Sequence, residues 1–267
     1  MSLFEATILG IVQGLTEFIP VSSSGHLILA RHVFGMQIAN EPAFIFDVLV
    51  QMGTWVAVLI HYRRDLIAIS ADMLKGLRGQ PAPQARLGWL ILLATLPAIV
   101  VGWWLRHSMA GELSSLTATG LFLLATALLL VIAELFGRRN RDATELHVAG
   151  ALWIGVFQAL ALFPAISRSA ATLSGGMTRN LTRVQAARFA FLMAVPVMPG
   201  AATVALLDLG RLPEGDGLFA PLAIGFLVSA IVGYISIRWL LNYLSAHSLF
   251  PFAVYCIAVG AVAILLG

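Results

Sequence analysis

Long apolar stretches alternate with short polar segments along most of the chain. Six of these stretches, each bounded by charges, glycine or proline, lie at about 43–61, 87–105, 116–136, 184–206, 217–237 and 249–266. A helix needs about 20 mostly apolar residues to cross a hydrocarbon core of about 30 Å. The pattern therefore predicts about six transmembrane helices.

Two further apolar regions are interrupted by small and polar residues. Residues 3–19 and 26–35 flank a Ser-Ser-Ser-Gly turn, and 146–164 runs into Pro164 and then Ser167-Arg168-Ser169. Their apolar arms are at or below the length of a membrane crossing. The sequence therefore predicts an all-α polytopic membrane protein with two re-entrant helix-loop-helix hairpins in addition to the six spans.

The two interrupted regions resemble each other. Gly10-Ile-Val-Gln13 matches Gly155-Val-Phe-Gln158, and the Pro20 turn matches the Pro164 turn. Two halves of opposite orientation, with broken helices that meet near the midplane, form an inverted repeat typical of transporters. We expect a single membrane domain over 1–267, with one repeat at about 1–140 and the other at about 146–267. Chance similarity between apolar helices is the alternative.

Composition supports the membrane class. Of the 267 residues, 60% are hydrophobic and 11% are charged, and the mean hydropathy is +0.92; soluble domains contain about 25% charged residues. The net charge is +3. The basic residues lie in short loops between apolar stretches, where they set the membrane orientation, so no nucleic-acid surface is expected. The single cysteine, Cys256, excludes an internal disulfide.

Loop charges predict the orientation. The loops at 62–86 and 137–145 are rich in arginine and are expected on the cytoplasmic side, whereas 207–216 is acidic on balance and is expected outside. With six spans, this arrangement makes the two hairpins enter from opposite sides. No Lys or Arg precedes Arg31, so a cleavable signal peptide is not expected.

The first interruption carries groups suited to chemistry. Gln13 and Glu17 are four residues apart, so on a helix they share one face. After Pro20, the serines are followed by an imidazole that titrates near neutral pH, in the run Ser22, Ser23, Ser24, Gly25, His26. A Ser-rich turn is often only a helix cap. An ionisable group at membrane depth nevertheless indicates a functional site.

The second interruption carries a cation among hydroxyls. Arg168 lies between apolar helices and needs an anionic partner, and its planar fork suits phosphate or carboxylate. An ion pair with Glu17 is the simpler interpretation. Ser167, Ser169 and Thr172 surround the arginine with hydroxyls that an ion pair does not require, and they favour an oxyanion pocket.

Together, these motifs resemble the undecaprenyl-pyrophosphate phosphatase family, also called the bacitracin-resistance protein family. The resemblance is carried by the run Gln13-Gly-Leu-Thr-Glu-Phe-Ile-Pro-Val-Ser-Ser-Ser-Gly-His26 and by Ser167-Arg-Ser-Ala-Ala-Thr172. Further stretches that match the family are Phe46–Gly53, Arg63-Arg64, Ser174–Met177 and Phe189–Pro196. It extends over nearly the whole chain.

The resemblance implies a bacterial inner-membrane phosphatase. It would remove the terminal phosphate of undecaprenyl pyrophosphate, recycle the lipid carrier for peptidoglycan synthesis and confer bacitracin resistance. It implies a divalent cation, Mg²⁺ or Ca²⁺, and a site that opens to the periplasm, and it leaves a homodimer open.

The family motifs also imply roles for individual residues. The catalytic residues would be Glu17, Ser23, His26 and Arg168, the substrate-binding residues Ser22, Ser24, Ser167, Arg168, Ser169 and Thr172, and the metal ligands Glu17 and Gln13. This chain has Ala165 and Ala170 where the family usually has glycine, and alanine restricts φ near the phosphate.

Several hypotheses remain open at this stage. We expect Ser23 to attack the terminal phosphorus with His26 as base, while Ser22, a water molecule or His26 itself are the alternatives. A lipid-carrier transporter, with or without hydrolysis, is the rival function. Asp47 and Gln51 are expected either to support the site or to bond between helices. Glu134 is expected to face headgroups or Arg138.

Overall fold

The computed structural model describes residues 1–36, 38, 40–105, 115–209 and 219–267. Apart from one isolated bridge between Arg141 and Leu181, the regular structure in these ranges is helical. The helices are α1 Leu3–Thr16, α2 Ser23–Val33, α3 Asn40–His61, α4 Arg63–Leu77, α5 Ala85–Leu105, α6 Leu116–Phe136, α7 Val148–Leu160, α8 Arg168–Met177, α9 Arg183–Leu209, α10 Phe219–Ala246 and α11 Phe250–Leu266, with a 3₁₀ turn at Ala143–Glu145. The predicted all-α class is confirmed.

Four described helices are long and apolar enough to cross a membrane: α3, α5, α6 and α10. The predicted span at 249–266 coincides with α11, a shorter apolar helix of 17 residues. The span predicted at 184–206 coincides with α9, a 27-residue helix that contains Pro196 and Pro199. The acidic loop predicted at 207–216 lies almost wholly outside the described residues.

Helix α6 shows how the bundle faces lipid. One side buries Leu123, Ala127 and Leu130, while the opposite side exposes Leu121 and Leu128. Exposed leucines along a whole helix face would be unfavourable in water, and a hydrocarbon environment removes that cost. The chain is thus a multi-pass membrane protein.

The two predicted hairpins are present as broken helices. Helix α1 ends at Thr16 and α2 begins at Ser23, while α7 ends at Leu160 and α8 begins at Arg168. The paired glycines have matching roles: a Cβ atom on Gly10 would lie 2.8 Å from the Gly225 carbonyl oxygen of α10, and one on Gly155 would lie 2.3 Å from the Ala94 carbonyl oxygen of α5. Each short helix therefore packs against a long one at backbone contact. The division of the chain into repeats at about 1–140 and 146–267 stays a prediction.

Two expectations about polar segments are wrong. Residues 63–77, which the sequence predicts within a loop at 62–86, form helix α4, which exposes Ile67, Leu74 and Leu77. Glu134 does not face headgroups: it is 5% exposed and binds Arg139 and Arg183. Its partner on α9 is distant in sequence, so the sequence pattern around Glu134 gave no sign of the pair.

Candidate functional site

The tips of the two hairpins meet inside the bundle. Glu17 directly follows α1, and its backbone N–H still donates to the Gln13 carbonyl oxygen. In the second hairpin, Arg168 is the first residue of α8. Its Nη2 donates to Glu17 Oε1 at 2.7 Å. The ion pair that the sequence suggested as the simpler interpretation is therefore formed.

Glu17 is the centre of the polar contacts. Its side chain is 4% exposed. Besides Arg168, Gln13 Nε2 donates to Glu17 Oε2 at 2.8 Å and Ser23 Oγ donates to the same oxygen at 2.7 Å. Because an ionised carboxylate accepts only, the Gln13 amide nitrogen must face it, which leaves the Gln13 carbonyl oxygen for another ligand. Gln13, Glu17, Ser23 and Arg168 thus form one cluster.

Two of the predicted substrate-binding serines are helix caps. Ser22 Oγ accepts from Gly25 N at 3.3 Å, and Ser167 Oγ accepts from Ala170 N at 3.2 Å. Caps in these positions satisfy helix N–H groups that otherwise lack a partner. Ser22 and Ser167 therefore shape their loops in addition to bordering a cavity between them.

A cavity of about 140 Å³ lies between the two loops. Its walls combine acid, hydroxyl, amide and guanidinium groups: Glu17, Ser22, Ser23, Ser24, Gln51, Ala161, Ile166, Ser167 and Arg168. In the described hydrogen bonds, the Arg168 guanidinium donates only through Nη2. Its other N–H groups are therefore available to an oxyanion. The cavity suits a phosphate group.

The remaining hydroxyls lie behind the cavity. Ser169 Oγ is 3.0 Å from Ser167 Oγ and 3.4 Å from the Ile19 carbonyl oxygen. Thr172 Oγ1 donates to the Arg168 carbonyl oxygen at 2.8 Å. Ser169 joins the two loops, and Thr172 secures the first turn of α8. Neither side chain borders the cavity.

His26 lies apart from this cluster. Its Nδ1 is 2.7 Å from the Ser22 carbonyl oxygen and its Nε2 is 2.8 Å from Tyr255 Oη. Among the described contacts it has no hydrogen bond with Ser23. His26 instead borders an apolar groove of about 490 Å³ between α1, α2 and α11. The expected Ser23–His26 pair is thus not formed, and Glu17 is the group that accepts the Ser23 hydrogen.

Four side chains outside the predicted catalytic, substrate-binding and metal residues also contribute. Tyr255 holds His26, Gln51 borders the cavity, and Thr126 Oγ1 accepts from Ser167 N at 3.1 Å. The sulfur of Met198 lies 3.5 Å from Arg168 Nη2. Only Gln51 carried a signal, as a polar residue one turn after Asp47 in a spanning helix.

Asp47 pairs with Arg31 rather than with the cluster. It borders a second cavity, of about 260 Å³, whose walls also include Gln13, Ser23 and Gln51. The two cavities share three lining residues: Ser23, Ser24 and Gln51. A continuous row of polar side chains therefore connects Asp47 in the second cavity with Arg168 in the first.

The donor set limits how a cation can bind. In the described part of the chain, no three His, Cys, Asp or Glu side chains come together as a metal-binding group. Mg²⁺, however, is commonly held by one or two carboxylates, water and substrate phosphates. One carboxylate, the free oxygen of an amide and an anionic substrate fit that type of site.

Comparison with known proteins defines the family. The family model described as "Bacitracin resistance protein BacA" matches residues 6–262. The chain is 41% identical over 270 residues to an undecaprenyl-diphosphatase of Pelobacter propionicus, covering 98% of this chain and 96% of the relative. It is 40% identical over 266 residues to an undecaprenyl-diphosphatase of Rubrobacter xylanophilus, covering 98% and 97%. The chain therefore belongs to the bacitracin resistance protein BacA family.

Proposed function

We propose that this chain is an undecaprenyl-diphosphatase that hydrolyses undecaprenyl diphosphate to undecaprenyl phosphate and inorganic phosphate. The observation that carries the proposal is the Glu17 carboxylate, which contacts both a hydroxyl and an arginine at the edge of a phosphate-sized cavity. The names of the relatives agree with it. A transporter without hydrolysis would need the arginine but not a hydroxyl that donates to a carboxylate.

Binding exchanges one anion for another at Arg168. The terminal phosphate takes the guanidinium fork, and Ser22 and Ser167 border the same cavity. When Arg168 turns to phosphate, Glu17 still accepts from the Ser23 hydroxyl through Oε2. The prenyl chain stays in the apolar surroundings, with the groove beside His26 next to the loop.

Ser23 is the proposed nucleophile. Glu17 Oε2 takes the Ser23 proton as Oγ forms a bond to the terminal phosphorus, and the bond from that phosphorus to the bridging oxygen breaks. The electron pair leaves with undecaprenyl phosphate. Water then attacks the phosphoserine, which releases inorganic phosphate and restores the Ser23 hydroxyl. Before the second step Glu17 passes the first proton to the departing undecaprenyl phosphate. It then takes a proton from the attacking water and returns it to Ser23 Oγ as the bond between phosphorus and Oγ breaks.

A divalent cation, Mg²⁺ or Ca²⁺, is part of the proposal. Glu17 and the free oxygen of Gln13 would hold it, and it would neutralise charge between the two phosphates. We further propose a bacterial inner-membrane location with the site open to the periplasm, as the resemblance to the family implies. The product is then available again as a carrier for peptidoglycan precursors, and rapid recycling would confer bacitracin resistance. A homodimer stays a prediction.

The test is phosphate release from undecaprenyl diphosphate by the purified protein in detergent, with and without a chelator. We expect cation-dependent release in the wild type, loss in Ser23→Ala, and unchanged rates in Glu145→Gln, which removes an exposed carboxylate from the loop before α7. Brief exposure to substrate labelled in the terminal phosphate should leave label on Ser23. Absence of release by the wild type would refute the phosphatase. Release that survives Ser23→Ala would assign the attack to water or another side chain.

A further inference from the structure

The backbone at Ser22 is strained. Its φ is +74°, in the left-handed region that a residue other than glycine rarely adopts. Such a conformation persists only where surrounding contacts hold it. Ser22 directly precedes Ser23, so its backbone direction decides whether the Ser23 hydroxyl reaches Glu17.

His26 supplies two of the contacts that hold Ser22. Its backbone N–H donates to the Ser22 carbonyl oxygen at 3.2 Å, and its Nδ1 lies 2.7 Å from the same oxygen. Helix α2 begins at Ser23, and residues four apart share a helix face, so the imidazole returns to the carbonyl of Ser22. The ring thereby fixes the peptide unit that leads into Ser23.

These contacts also determine the tautomer of His26. A carbonyl oxygen can only accept, so Nδ1 carries the proton and Nε2 of the neutral ring is an acceptor. Tyr255 Oη, 2.8 Å from Nε2, is then the donor. The two rings are nearly parallel, with centroids 5.5 Å apart and an angle of 9°. The Nε2 lone pair is therefore occupied by a residue of α11.

From this geometry we propose that His26 is a positioning residue and that Tyr255 orients it. Hydrogen bonds run from Tyr255 to His26 and from His26 to the Ser22 carbonyl, and they hold the loop that directs Ser23 at Glu17. The proposal rests on the proposed phosphatase function and changes the role of His26 within it. His26 borders the apolar groove, not the polar cavity, which agrees with a role outside proton transfer.

Substitutions at His26 separate positioning from base catalysis. Asparagine places an amide N–H close to the position of Nδ1 but cannot accept a proton at neutral pH, whereas alanine removes both functions. We expect His26→Ala to lower kcat about 10²-fold, the cost of a misplaced reacting group. His26→Asn should recover at least a tenth of wild-type kcat, and its pH profile should keep the wild-type limbs. If His26→Asn is as inactive as His26→Ala and the acidic limb disappears, His26 is the base and the proposal is wrong.

Tyr255→Phe tests the second contact. It removes one hydroxyl and keeps the ring, so kcat should fall about fivefold, the effect of one neutral hydrogen bond, with KM within twofold of wild type. Tyr243→Phe is the matched control, since Tyr243 stacks on His247 in a second His–Tyr pair; its kinetics should equal those of the wild type. A change in KM alone for Tyr255→Phe would show that Tyr255 contacts the lipid chain and would overturn its orienting role.

A measurement without turnover keeps the inference separate from the phosphatase proposal. In protein labelled with ¹⁵N-histidine, His26 is assigned by the signal lost in His26→Asn. The wild type should show a protonated Nδ1 and an acceptor Nε2, and the Nε2 shift should move in Tyr255→Phe. A proton on Nε2 would overturn the proposal even in an active enzyme. If the wild type releases no phosphate but shows the expected tautomer, the phosphatase proposal fails and the contact itself stands.

Discussion

Two glutamates are buried with arginines in this bundle, and they are surrounded differently. The two oxygens of Glu134 accept from Arg139 Nη1 at 2.6 Å, from Arg183 Nε and Nη2 at 2.6 Å each and from Leu249 N at 2.7 Å. Those of Glu17 accept from Arg168, Gln13 and Ser23. Four donors, all charged or backbone, saturate Glu134, whereas Glu17 has fewer donors, and two of them are neutral side chains.

The difference shows which observation indicates a site. A buried carboxylate paired with arginine is common to both centres, so the pair alone does not distinguish function from structure. Glu134 joins α6 to α9 and to the start of α11, and every one of its donors is fixed by that packing. Glu17 adds a hydroxyl that can lose a proton and a cavity that can hold an anion.

The largest effect is expected for Glu17→Gln. Glutamine keeps the size of the side chain and an oxygen for Arg168, but it cannot take the proton of Ser23. We expect the rate of phosphate release to fall about 10³-fold, as for loss of a general base, while the protein remains folded. The rate is measured as initial phosphate release, and folding by the midpoint of thermal unfolding. A variant that turns over near the wild-type rate would remove Glu17 as the base.

Arg168→Lys should have the next largest effect. Lysine keeps the charge but lacks the planar fork that binds two phosphate oxygens, so kcat/KM should fall about 10²-fold. Arg179→Lys is the control, because Arg179 stacks on Trp153 outside the cavity, with its guanidinium carbon 4.5 Å from the ring centroid. Equal losses in both variants would indicate a general effect of arginine on the fold.

Glu134→Gln should reverse the pattern. Removing the carboxylate weakens its hydrogen bonds to Arg139 and Arg183, which are partly exposed, and we expect the free energy of unfolding to fall by roughly 2 kcal/mol. Phosphate release per folded molecule should stay at the wild-type value. Tryptophan fluorescence during denaturant titration measures the first quantity, and activity normalised to folded protein measures the second. A loss of kcat without a loss of stability would make Glu134 part of a functional site.

Much of the site followed from the sequence because its groups are conspicuous in a membrane. Gln13 and Glu17 share a helix face by their spacing, and Arg168 required an anion, so their contact could be anticipated. The orientation of His26 could not be predicted, because it depends on the first residue of α2, Ser23, and on Tyr255 in the last helix. The Glu134 network likewise joins residues far apart in the chain. Helix α4 was not predicted, because its charged residues led us to interpret the whole segment as a polar loop, although its apolar residues share one helix face.

Gln13→Glu should make the Glu17 centre depend more strongly on a cation. Two carboxylates in contact disfavour each other by at least about 1 kcal/mol, a factor of about five, unless a cation or a proton lies between them. The ratio of activity with Mg²⁺ to activity with chelator should therefore rise about fivefold. Gln80→Glu adds the same charge at an exposed loop position and should leave the ratio unchanged. An unchanged ratio in Gln13→Glu would place the cation away from residue 13.

The smallest effect is expected at Ala165, in the loop that precedes Arg168. Its φ is +59°, at a position where the family resemblance led us to expect glycine, and a left-handed alanine costs about 1 to 2 kcal/mol. Ala165→Gly removes this strain but gives the unfolded chain more freedom, so the net gain in the free energy of unfolding should be about 1 kcal/mol. Ala161→Gly is the matched control: at φ −77° alanine is unstrained, and the same change should lower stability. The Ala165 methyl group packs close to Gly25, since a Cβ atom placed on Gly25 would lie 3.3 Å from it. If Ala165→Gly is also destabilising, the loss of this packing costs more than the relief of backbone strain gains. Packing between the two loops, rather than backbone conformation, would then hold Arg168 near Glu17.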